Sequence, residues 1–488
     1  MNIRPVNEWT LYRMRFLLAY VLLAIITAAL LAFYLDIAPP GLGPTEKQSI
    51  VSSAAISFKE PPTNIVDLPF HVLQKLSVEW LGVTPLGVRL PSLVFGGLTA
   101  LCMALLLRRW FKTNIALAVS LIFVTSTWFL SVARLGAPFI MIPLWTSILL
   151  LTATYVSQQT KAWKWWRVAF AMAAALSMYT PFMAYFFIAA ALATIAQPHL
   201  RYLLRESNRV NLFIGGFFFI LLLVPLGWGI YKEPGVIRDL LAIPAALPDP
   251  LQFAKGLWHA ISNVINPYNL AATEMITPTL GIVTCALLLT GGARLLRDFH
   301  SVRAHVLLLW AALLVPIVAF NPTQLTALLV PTMLVVAIGL NQIIRYWYRL
   351  FPRNPYARLF GLVPLTILVI SIVQLNYQRY TFGMIYSKQA GQTFNQDAFL
   401  AQKELMNIDK ARPVTFVVAP ENEALYNVLA GRRPSTAVET GETASDRAGT
   451  WIVQNSQYNT VAQKVGAPSK LLVTDQKADA LRLTVHER

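Results

Sequence analysis

Apolar stretches of about 20 residues recur along this sequence as far as residue 378, and they constrain the fold more than any other feature. A stretch of that length crosses the hydrocarbon core of a bilayer as one helix. Of the 488 residues, 56% are hydrophobic and only 13% are charged, which is too little charge for the surface of a soluble protein of this length. The sequence therefore predicts a polytopic α-helical membrane protein.

We predict eleven membrane-spanning helices from these stretches. The first, residues 16–35, is longer than the apolar core of a signal peptide and lacks a small-residue cleavage pattern, so we expect it to be retained. The predicted spans are centred near Ala24, Ala100, Leu121, Ile148, Met172, Phe187, Phe219, Cys285, Leu313, Leu334 and Leu368. The pair around Met172 and Phe187 is short and is joined by a tight turn.

The distribution of charge predicts an orientation in the cell membrane. Lys and Arg concentrate in alternate loops, which places the N-terminus in the cytoplasm by the positive-inside rule. An odd number of spans then places the C-terminus outside. Acidic residues lean toward the outer loops, which suggests that the outer face carries the chemistry. The net charge of +17 is spread over short loops without a concentrated basic arm, so a nucleic-acid partner is disfavoured.

Two domains are predicted: a transmembrane domain over residues 1–378 and an extracytoplasmic α/β domain over residues 379–488. The transmembrane domain has two long outer loops, residues 37–89 and 231–276. In the polar tail, VTFVVAP, TWIVQN and KLLVTD are typical of short buried strands, and NQDAFLAQKELMNI is typical of an amphipathic helix after an Asn cap. Cys102 and Cys285 both fall in apolar stretches, so a disulfide framework is excluded from the tail.

The first outer loop carries an ordered series of motifs. It opens with the rigid turn APPGLG and continues with a helical stretch over residues 45–58. A proline-containing break follows, and then FHVLQKLSVEWLGV, in which Phe70, Leu73, Leu76, Val78 and Trp80 cluster as in an interfacial amphipathic helix. The next motif residues are Arg89, Pro91, Ser92, Phe95, Gly96, Leu98 and Thr99, and the third span ends with Trp128 and Arg134.

In this order the motifs resemble the membrane-bound GT-C glycosyltransferases, specifically the branch of protein O-mannosyltransferases and lipid A aminoarabinose transferases. The resemblance covers about residues 16–160 and rests on span count and topology beyond them. It implies a GT-C-like fold with about 11 transmembrane helices, surface helices in the large first outer loop and a small C-terminal α/β domain. It also implies transfer of a sugar from a polyprenyl-phosphate donor to a lipid, glycan or protein acceptor on the outer face.

Such a transfer needs a carboxylate to take the acceptor proton and cations to stabilise the leaving phosphate. The family's base is the Asp of an Asp-Glu pair, and this chain has Thr45 at that position, followed by Glu46. A second family acid would fall near Ala137 or Pro138, and a family cation would fall within NPTQLTALL; both are missing. A hydroxyl has no useful basicity near neutral pH, so Thr45 cannot replace the aspartate.

Two carboxylates are candidates for a relocated base, Glu46 and Asp67. Each also has an alternative structural role: Glu46 as an acid in the first turn of a helix, and Asp67 as a helix cap. The candidate ligands of the donor phosphate are Arg134, Arg89, Lys75 and His71. The alternative roles of Arg89 are to pair with an acid or to anchor the protein at the membrane interface. The alternative role of Lys75 and His71 is to contact lipid headgroups. Candidates for sugar or acceptor contacts are Trp258, His259, Tyr268 and Asn269, with interfacial aromatics as the alternative.

Three functions are consistent with the sequence. The first is a lipid-linked sugar transferase with a shifted carboxylate. The second is a catalytically impaired GT-C-like protein that binds lipid-linked sugar or serves as an assembly partner. The third, a transporter, is disfavoured because the predicted spans carry almost no ionisable residues at mid-bilayer depth. The sequence identifies no cofactor with certainty, and a divalent cation is left open because one or two carboxylates supply few ligands for a metal.

Overall fold

The computed structural model describes residues 10–57, 65–158, 163–205, 209–243, 249–265, 279–320, 322–351, 355–409, 411–441, 448–473 and 481–487. The helices are α1 (Thr10–Ala32), α2 (Pro44–Ala54), α3 (Leu68–Leu81), α4 (Pro85–Trp110), α5 (Thr113–Thr125), α6 (Thr127–Arg134), α7 (Met141–Ser157), α8 (Trp163–Ser177), α9 (Met183–Ala196), α10 (Pro198–Arg205), α11 (Arg209–Lys232), α12 (Val236–Leu241), α13 (Pro250–Ile265), α14 (Ile282–Arg297), α15 (Val302–Phe320), α16 (Leu329–Leu350), α17 (Pro355–Tyr386), α18 (Lys388–Thr393), α19 (Asp397–Asn407), α20 (Glu423–Ala430) and α21 (Tyr458–Val465). The strands are β1 (Val414–Val418), β2 (Thr436–Thr440), β3 (Thr450–Gln454), β4 (Lys470–Val473) and β5 (Leu481–Glu487).

The prediction of a multi-pass helical membrane protein is confirmed. Every predicted span centre lies within a helix. Among the described residues, 7 helices are long and apolar enough to cross a membrane, or up to 8 if α5 and α6 form one broken span. Helices α8, α9 and α14 have 15, 14 and 16 residues, which is short for a bilayer crossing. The count of eleven spans therefore stays a prediction.

The third predicted span is bent by 56° between α5 and α6. Ser126 separates the two helices with an extended backbone, and its hydroxyl accepts a hydrogen bond from the Phe129 amide at 3.1 Å. Serine in this position caps a new helix, which explains why the chain stops and restarts here. The sequence predicts that Arg134 lies in a short outer loop between two spans, and the structure corrects this. This residue ends α6 and is buried, rather than lying in a loop.

The described chain divides into two compact units. Unit one comprises Met1–Phe33, Val94–Ala133 and Phe139–Tyr380, and it holds most of the apolar helices. Unit two comprises Tyr34–Leu93, Arg134–Pro138 and Thr381–Arg488. The first outer loop, the turn after α6 and the C-terminal region are therefore parts of one folded unit. The predicted domain boundary near residue 379 stays a prediction.

Unit two is built around a five-stranded sheet with the order β2-β1-β3-β5-β4. The pairs β1–β2 and β1–β3 are parallel, whereas β3–β5 and β4–β5 are antiparallel. Strands β1 and β3 are buried at every position, as apolar runs without polar alternation predict. The small C-terminal α/β fold is thus confirmed. Strand β4 is present as predicted, but it is an edge strand with three of its four residues exposed, so the prediction that it is buried is wrong. Strands β2 and β5, which were not predicted, complete the sheet.

The first outer loop shares a hydrophobic core with the C-terminal sheet. Leu42 and Val88 from the loop pack in the same cluster as Leu405, Phe416 and Ile452. The loop also pairs with the C-terminal region as a short antiparallel bridge. The Leu42 amide donates to the Asn395 carbonyl at 2.7 Å, and the Asn395 amide donates back at 3.1 Å. The C-terminal region is therefore a structural support of the loop that carries the candidate site.

Two local predictions need correction. Helix α19 begins at Asp397 after Gln396, and no side chain caps it, so the predicted Asn cap is wrong. Helix α3 does not gather its apolar residues on one face. Phe70 is fully buried and Trp80 is 82% exposed. The buried side of α3 also holds polar residues, and these belong to the candidate site.

Candidate functional site

Helix α2 begins at the turn that opens the first outer loop. Gly43 is its N-cap residue, Pro44 occupies the first turn, and Glu46 is at the third position. The Glu46 carboxylate accepts a hydrogen bond from the Gly43 amide at 3.0 Å, which satisfies a backbone N–H group at the start of the helix. Proline and an acid are both favoured in the first turn of a helix. The sequence around Glu46 is therefore sufficient to explain why a helix starts here.

Glu46 forms a fully buried ion pair with Arg89 from the start of α4. Both side chains have 0% exposure, and Arg89 Nε lies 3.0 Å from Glu46 Oε1. A second guanidinium nitrogen of Arg89 lies 3.3 Å from Glu46 Oε2. Two charges out of water need further hydrogen bonds to offset the loss of hydration. Arg89 therefore requires additional acceptors, and the opening turn of the loop supplies them.

Three backbone carbonyls in the segment that leads into and forms this turn, residues 35–41, accept hydrogen bonds from Arg89. The Leu35 carbonyl lies 2.6 Å from Nη1 and the Pro39 carbonyl lies 3.1 Å from it. The Gly41 carbonyl accepts from Nη2. These contacts hold the Pro-Gly turn against the start of α4. Of the roles considered for Arg89, the structure therefore shows the pairing with an acid.

The turn after α6 provides a further hydrogen bond to this ion pair. The Gly136 amide donates to Glu46 Oε1 at 2.7 Å. A Cβ atom at Gly136 would lie 2.5 Å from Val88 Cγ1 and 3.1 Å from Glu46 Oε1. Only glycine lets the backbone come this close. Glycine is therefore required at position 136 because of this contact, and not because of a turn conformation. Both Glu46 oxygens thus have partners, and Arg134 lies two residues before Gly136 at the end of α6.

A buried polar network connects α2, α3 and the turn after α6. Gln74 lies at its centre, and its Oε1 accepts from the Ser49 and Ser53 hydroxyls at 2.7 Å each. Its amide nitrogen donates to the Gly136 carbonyl at 2.8 Å and to the Val88 carbonyl at 3.2 Å. Sequence reasoning missed these residues. The signal in the sequence was that polar residues recur at helical spacing from Phe70, on the same buried face of α3.

His71 extends this network toward the first turn of α3. Its Nδ1 lies 2.8 Å from the Ser53 hydroxyl oxygen. Because the Ser53 hydrogen is directed at Gln74, the imidazole is the donor in this contact, which assigns the proton to Nδ1. Burial lowers the pKa of His71 to about 4. The ring is therefore neutral at pH 7, and a neutral ring is a poor counterion for a phosphate.

Acidification should reveal this buried neutral histidine. The unfolded state takes up the His71 proton near pH 6.5 and the folded state only near pH 4, so stability falls as the pH drops through that window, by about 1.4 kcal/mol per unit. We expect thermal denaturation between pH 7 and 4.5 to show a smaller loss for His71→Asn than for the native protein. The Asn amide keeps a donor for Ser53 but does not titrate. Equal pH slopes in both proteins would contradict the assignment.

Asp67 is the second candidate carboxylate, and it lies at the start of α3. It is the N-cap residue, with a left-handed backbone at φ 52°, and its carbonyl accepts from the Phe70 and His71 amides. Its side chain makes no capping hydrogen bond to α3 and is 7% exposed. Aspartate tolerates this backbone conformation better than most residues. The helix-cap alternative therefore does not account for the carboxylate.

The remaining predicted site residues differ in how the structure places them. The Lys75 ammonium donates to the Ile56 carbonyl, and its Nζ lies 3.8 Å from Glu79 Oε1. Trp258, on α13, is 69% exposed. His259 lies in the same helix, but its side chain is outside the described part of the chain, as are Tyr268 and Asn269 altogether. The predicted sugar-binding roles of these residues stay predictions.

A divalent cation does not fit the candidate site as it is arranged. Across the described residues, no group of three His, Cys, Asp or Glu side chains is placed to hold a metal ion. The Glu46 oxygens are engaged by Arg89 and by the Gly43 and Gly136 amides. A cation at this carboxylate would have to compete with a guanidinium, so we derive no step through a metal.

Comparisons with known proteins agree with the fold. Residues 69–228 match the family model described as dolichyl-phosphate-mannose-protein mannosyltransferase. The structure of ArnT from Cupriavidus metallidurans in the apo state is similar, with a TM-score of 0.57, 12% identity and 97% of each chain covered. The undecaprenyl phosphate complex of the same protein gives a TM-score of 0.59 at 12% identity and covers 98% of each chain.

An archaeal oligosaccharyltransferase is also similar. The Archaeoglobus fulgidus structure tethered to an acceptor peptide gives a TM-score of 0.54 at 11% identity, over 94% of this chain and 71% of that one. No curated protein matches the sequence. The resemblance to GT-C glycosyltransferases is confirmed, because the fold is shared over nearly the full length. At this low identity the likeness establishes the fold alone.

Proposed function

We propose that this protein is a membrane glycosyltransferase that moves a sugar from a polyprenyl-phosphate donor to an acceptor on the outer face of the membrane. The observation that carries the proposal is the GT-C fold along 97% of the chain, shared with ArnT. One ArnT structure holds undecaprenyl phosphate, which is the leaving group that such a donor would release. The donor class follows from that similarity, and the acceptor is a lipid, glycan or protein.

Asp67 is the residue that we assign as general base. Both candidate carboxylates are in the first outer loop, but Glu46 has each oxygen engaged by Arg89 or a backbone amide. Taking up a proton at Glu46 would leave the Arg89 charge buried and uncompensated, at a cost of several kcal/mol. The Asp67 side chain does not cap its own helix. Taking up a proton at Asp67 leaves the Glu46–Arg89 ion pair intact, and for that reason we assign the base to Asp67.

Arg134 is the cation that we assign to the donor phosphate. It ends α6 and is buried, two residues from the Gly136 amide that fixes Glu46. In the proposed reaction Asp67 takes the proton of the acceptor hydroxyl, and the acceptor oxygen bonds to the anomeric carbon. The bond from that carbon to the phosphate oxygen breaks, and its electrons leave with the lipid phosphate. Arg134 stabilises the added charge on that phosphate.

The proposed orientation follows the charge bias of the loops. It has a cytoplasmic N-terminus, an extracytoplasmic C-terminal domain and the chain in the cell membrane. The exposed Trp258 is available for stacking on a sugar ring, with His259, Tyr268 and Asn269 as further proposed contacts. Lys75 and His71 are weaker proposals. Lys75 is held by a backbone carbonyl, and burial lowers the pKa of His71 so that the ring is neutral.

A second function is favoured by one specific observation. Thr45 stands where the resembling family has its base, and the adjacent Glu46 is locked in the buried ion pair. A protein with this arrangement and no relocated base would bind a lipid-linked sugar without transferring it. It would then act as a binder or as an assembly partner. Oligomeric state does not distinguish the two functions, but turnover does.

Turnover with a donor panel separates the two functions. We expect the purified protein to release polyprenyl phosphate from at least one polyprenyl-phosphate sugar when lipid, glycan and protein acceptors are each offered. Arg134→Gln should lower kcat by roughly 100-fold to 1,000-fold, as for loss of one preorganised charge partner. Arg412→Gln is the matched control, because this arginine forms an exposed ion pair in the same unit. Donor binding without turnover across the whole panel would instead support the second function.

A further inference from the structure

A cavity of about 350 Å³ lies within unit one, between the ends of α4, α14, α15 and α16. Three arginines line it, Arg294, Arg303 and Arg345, and Asp298 is its acidic residue. We call it the arginine cavity. All of its lining residues belong to unit one, whereas the Glu46–Arg89 site belongs to unit two. The proposed sugar transfer does not use it.

Two of the three arginines are held in place by neighbouring groups. The Arg303 guanidinium lies over the Trp110 ring, 5.0 Å from its centroid, and donates to the Trp110 carbonyl at 3.2 Å. Arg294 forms an ion pair with Asp298, in which Nε lies 2.7 Å from Oδ2. A guanidinium stacked on an indole keeps its outer N–H groups for another acceptor. Arg303 is therefore oriented in advance for an anion.

Arg345 supplies charge that the cavity does not balance. In the part of the chain that the structure describes, no carboxylate lies within ion-pair distance of this side chain. The cavity thus has three guanidinium groups and one carboxylate, and that carboxylate already pairs with Arg294. An excess of positive charge in a concave site attracts anions. The arrangement favours an anionic ligand over a neutral one.

The chemistry of the lining specifies the anion further. Guanidinium groups match phosphate oxygens with paired N–H donors. Asn341 and Gln342 add amides that suit hydroxyl groups, and Ile338 adds an apolar wall. The volume is at the lower end of the range of roughly 300–1,000 Å³ that small-molecule sites span. By the predicted orientation, these helix ends face the cytoplasmic leaflet, where anionic phospholipids accumulate.

We propose that the arginine cavity binds a phosphate-bearing anion, supplied either by an anionic phospholipid headgroup or by a soluble phosphate. Both sources present the same phosphate oxygens to Arg303 and Arg345. They differ in whether acyl chains accompany the phosphate. Binding here is independent of the transfer reaction, so it is testable on protein that has no assigned donor.

The test compares Arg345→Gln with Arg349→Gln. Both positions are exposed on α16, and both variants lose one positive charge, but only Arg345 lines the cavity. Purified proteins in neutral detergent are titrated with short-chain phosphatidylglycerol, and phosphatidylcholine serves as the neutral lipid. Native mass spectrometry reports the bound fraction. We expect Arg345→Gln to weaken phosphatidylglycerol binding by about tenfold or more, and Arg349→Gln to leave it within about twofold.

A second arm identifies the source of the phosphate. Inorganic phosphate is titrated into the same three proteins, and the thermal midpoint is the readout. Arg345-dependent lipid binding supports the proposal with a phospholipid as the source. Arg345-dependent stabilisation by inorganic phosphate, without Arg345-dependent lipid binding, supports it with a soluble source. Lipid and phosphate responses that are equal in Arg345→Gln and Arg349→Gln would overturn it.

Discussion

Replacing Arg89 with methionine is expected to destabilise unit two by about 3–5 kcal/mol, the cost of leaving a buried charge without its partner. Glu46 would keep its two amide donors but lose the guanidinium that neutralises it. The Leu35 and Pro39 carbonyls would also lose a donor. For a unit of this size the thermal midpoint should fall by roughly 10 °C. Thermal denaturation of the purified protein in detergent measures the change.

The matched control is Arg412→Met. Arg412 forms an ion pair with Glu487 at 3.6 Å, but the two side chains are 64% and 68% exposed. Exposed pairs contribute about 0–1 kcal/mol, so the midpoint should barely move. The double variant Arg89→Met/Glu46→Met should recover part of the loss, because an apolar pair leaves no buried charge. A structural role for the buried pair is refuted if Arg89→Met and Arg412→Met behave alike.

Replacing Asp67 with asparagine is expected to lower kcat by roughly 100-fold to 10,000-fold, the usual contribution of a positioned general base. Asparagine keeps the size of the side chain and tolerates the left-handed backbone at this position. The thermal midpoint should therefore stay close to that of the native protein. Turnover at saturating donor and acceptor is the readout, since it isolates the chemical step from binding.

Glu46→Gln separates the two candidate bases. Glutamine keeps an acceptor for only one of the Gly43 and Gly136 amides, and it removes the negative charge beside Arg89. We expect a lower thermal midpoint with kcat reduced far less than in Asp67→Asn. The reverse pattern, with turnover lost in Glu46→Gln and kept in Asp67→Asn, would move the base to Glu46. Full turnover in both variants would remove both residues from the reaction.

The sequence predicted the class of fold well because a bilayer imposes a local rule. A backbone in hydrocarbon has to satisfy its hydrogen bonds within one helix, so the length of an apolar run is enough to mark a helix. Each predicted span centre accordingly lies in a helix. The strands β1 and β3 were equally visible, because buried parallel strands are continuous apolar runs. Strand β4 was predicted from a similar run, although it is a mostly exposed antiparallel edge strand. The edge strand β2 has no such run and was missed.

The sequence by itself therefore determined the apolar helices, the helical start of the first outer loop and the C-terminal α/β region. Only the tertiary structure decided what Glu46 does. Its partners Arg89 and Gly136 are distant along the chain, and no local pattern reports a contact between them. The same holds for the support that Asn395 gives to Leu42. Local periodicity fixes an element, whereas the partner of a buried charge depends on which elements meet.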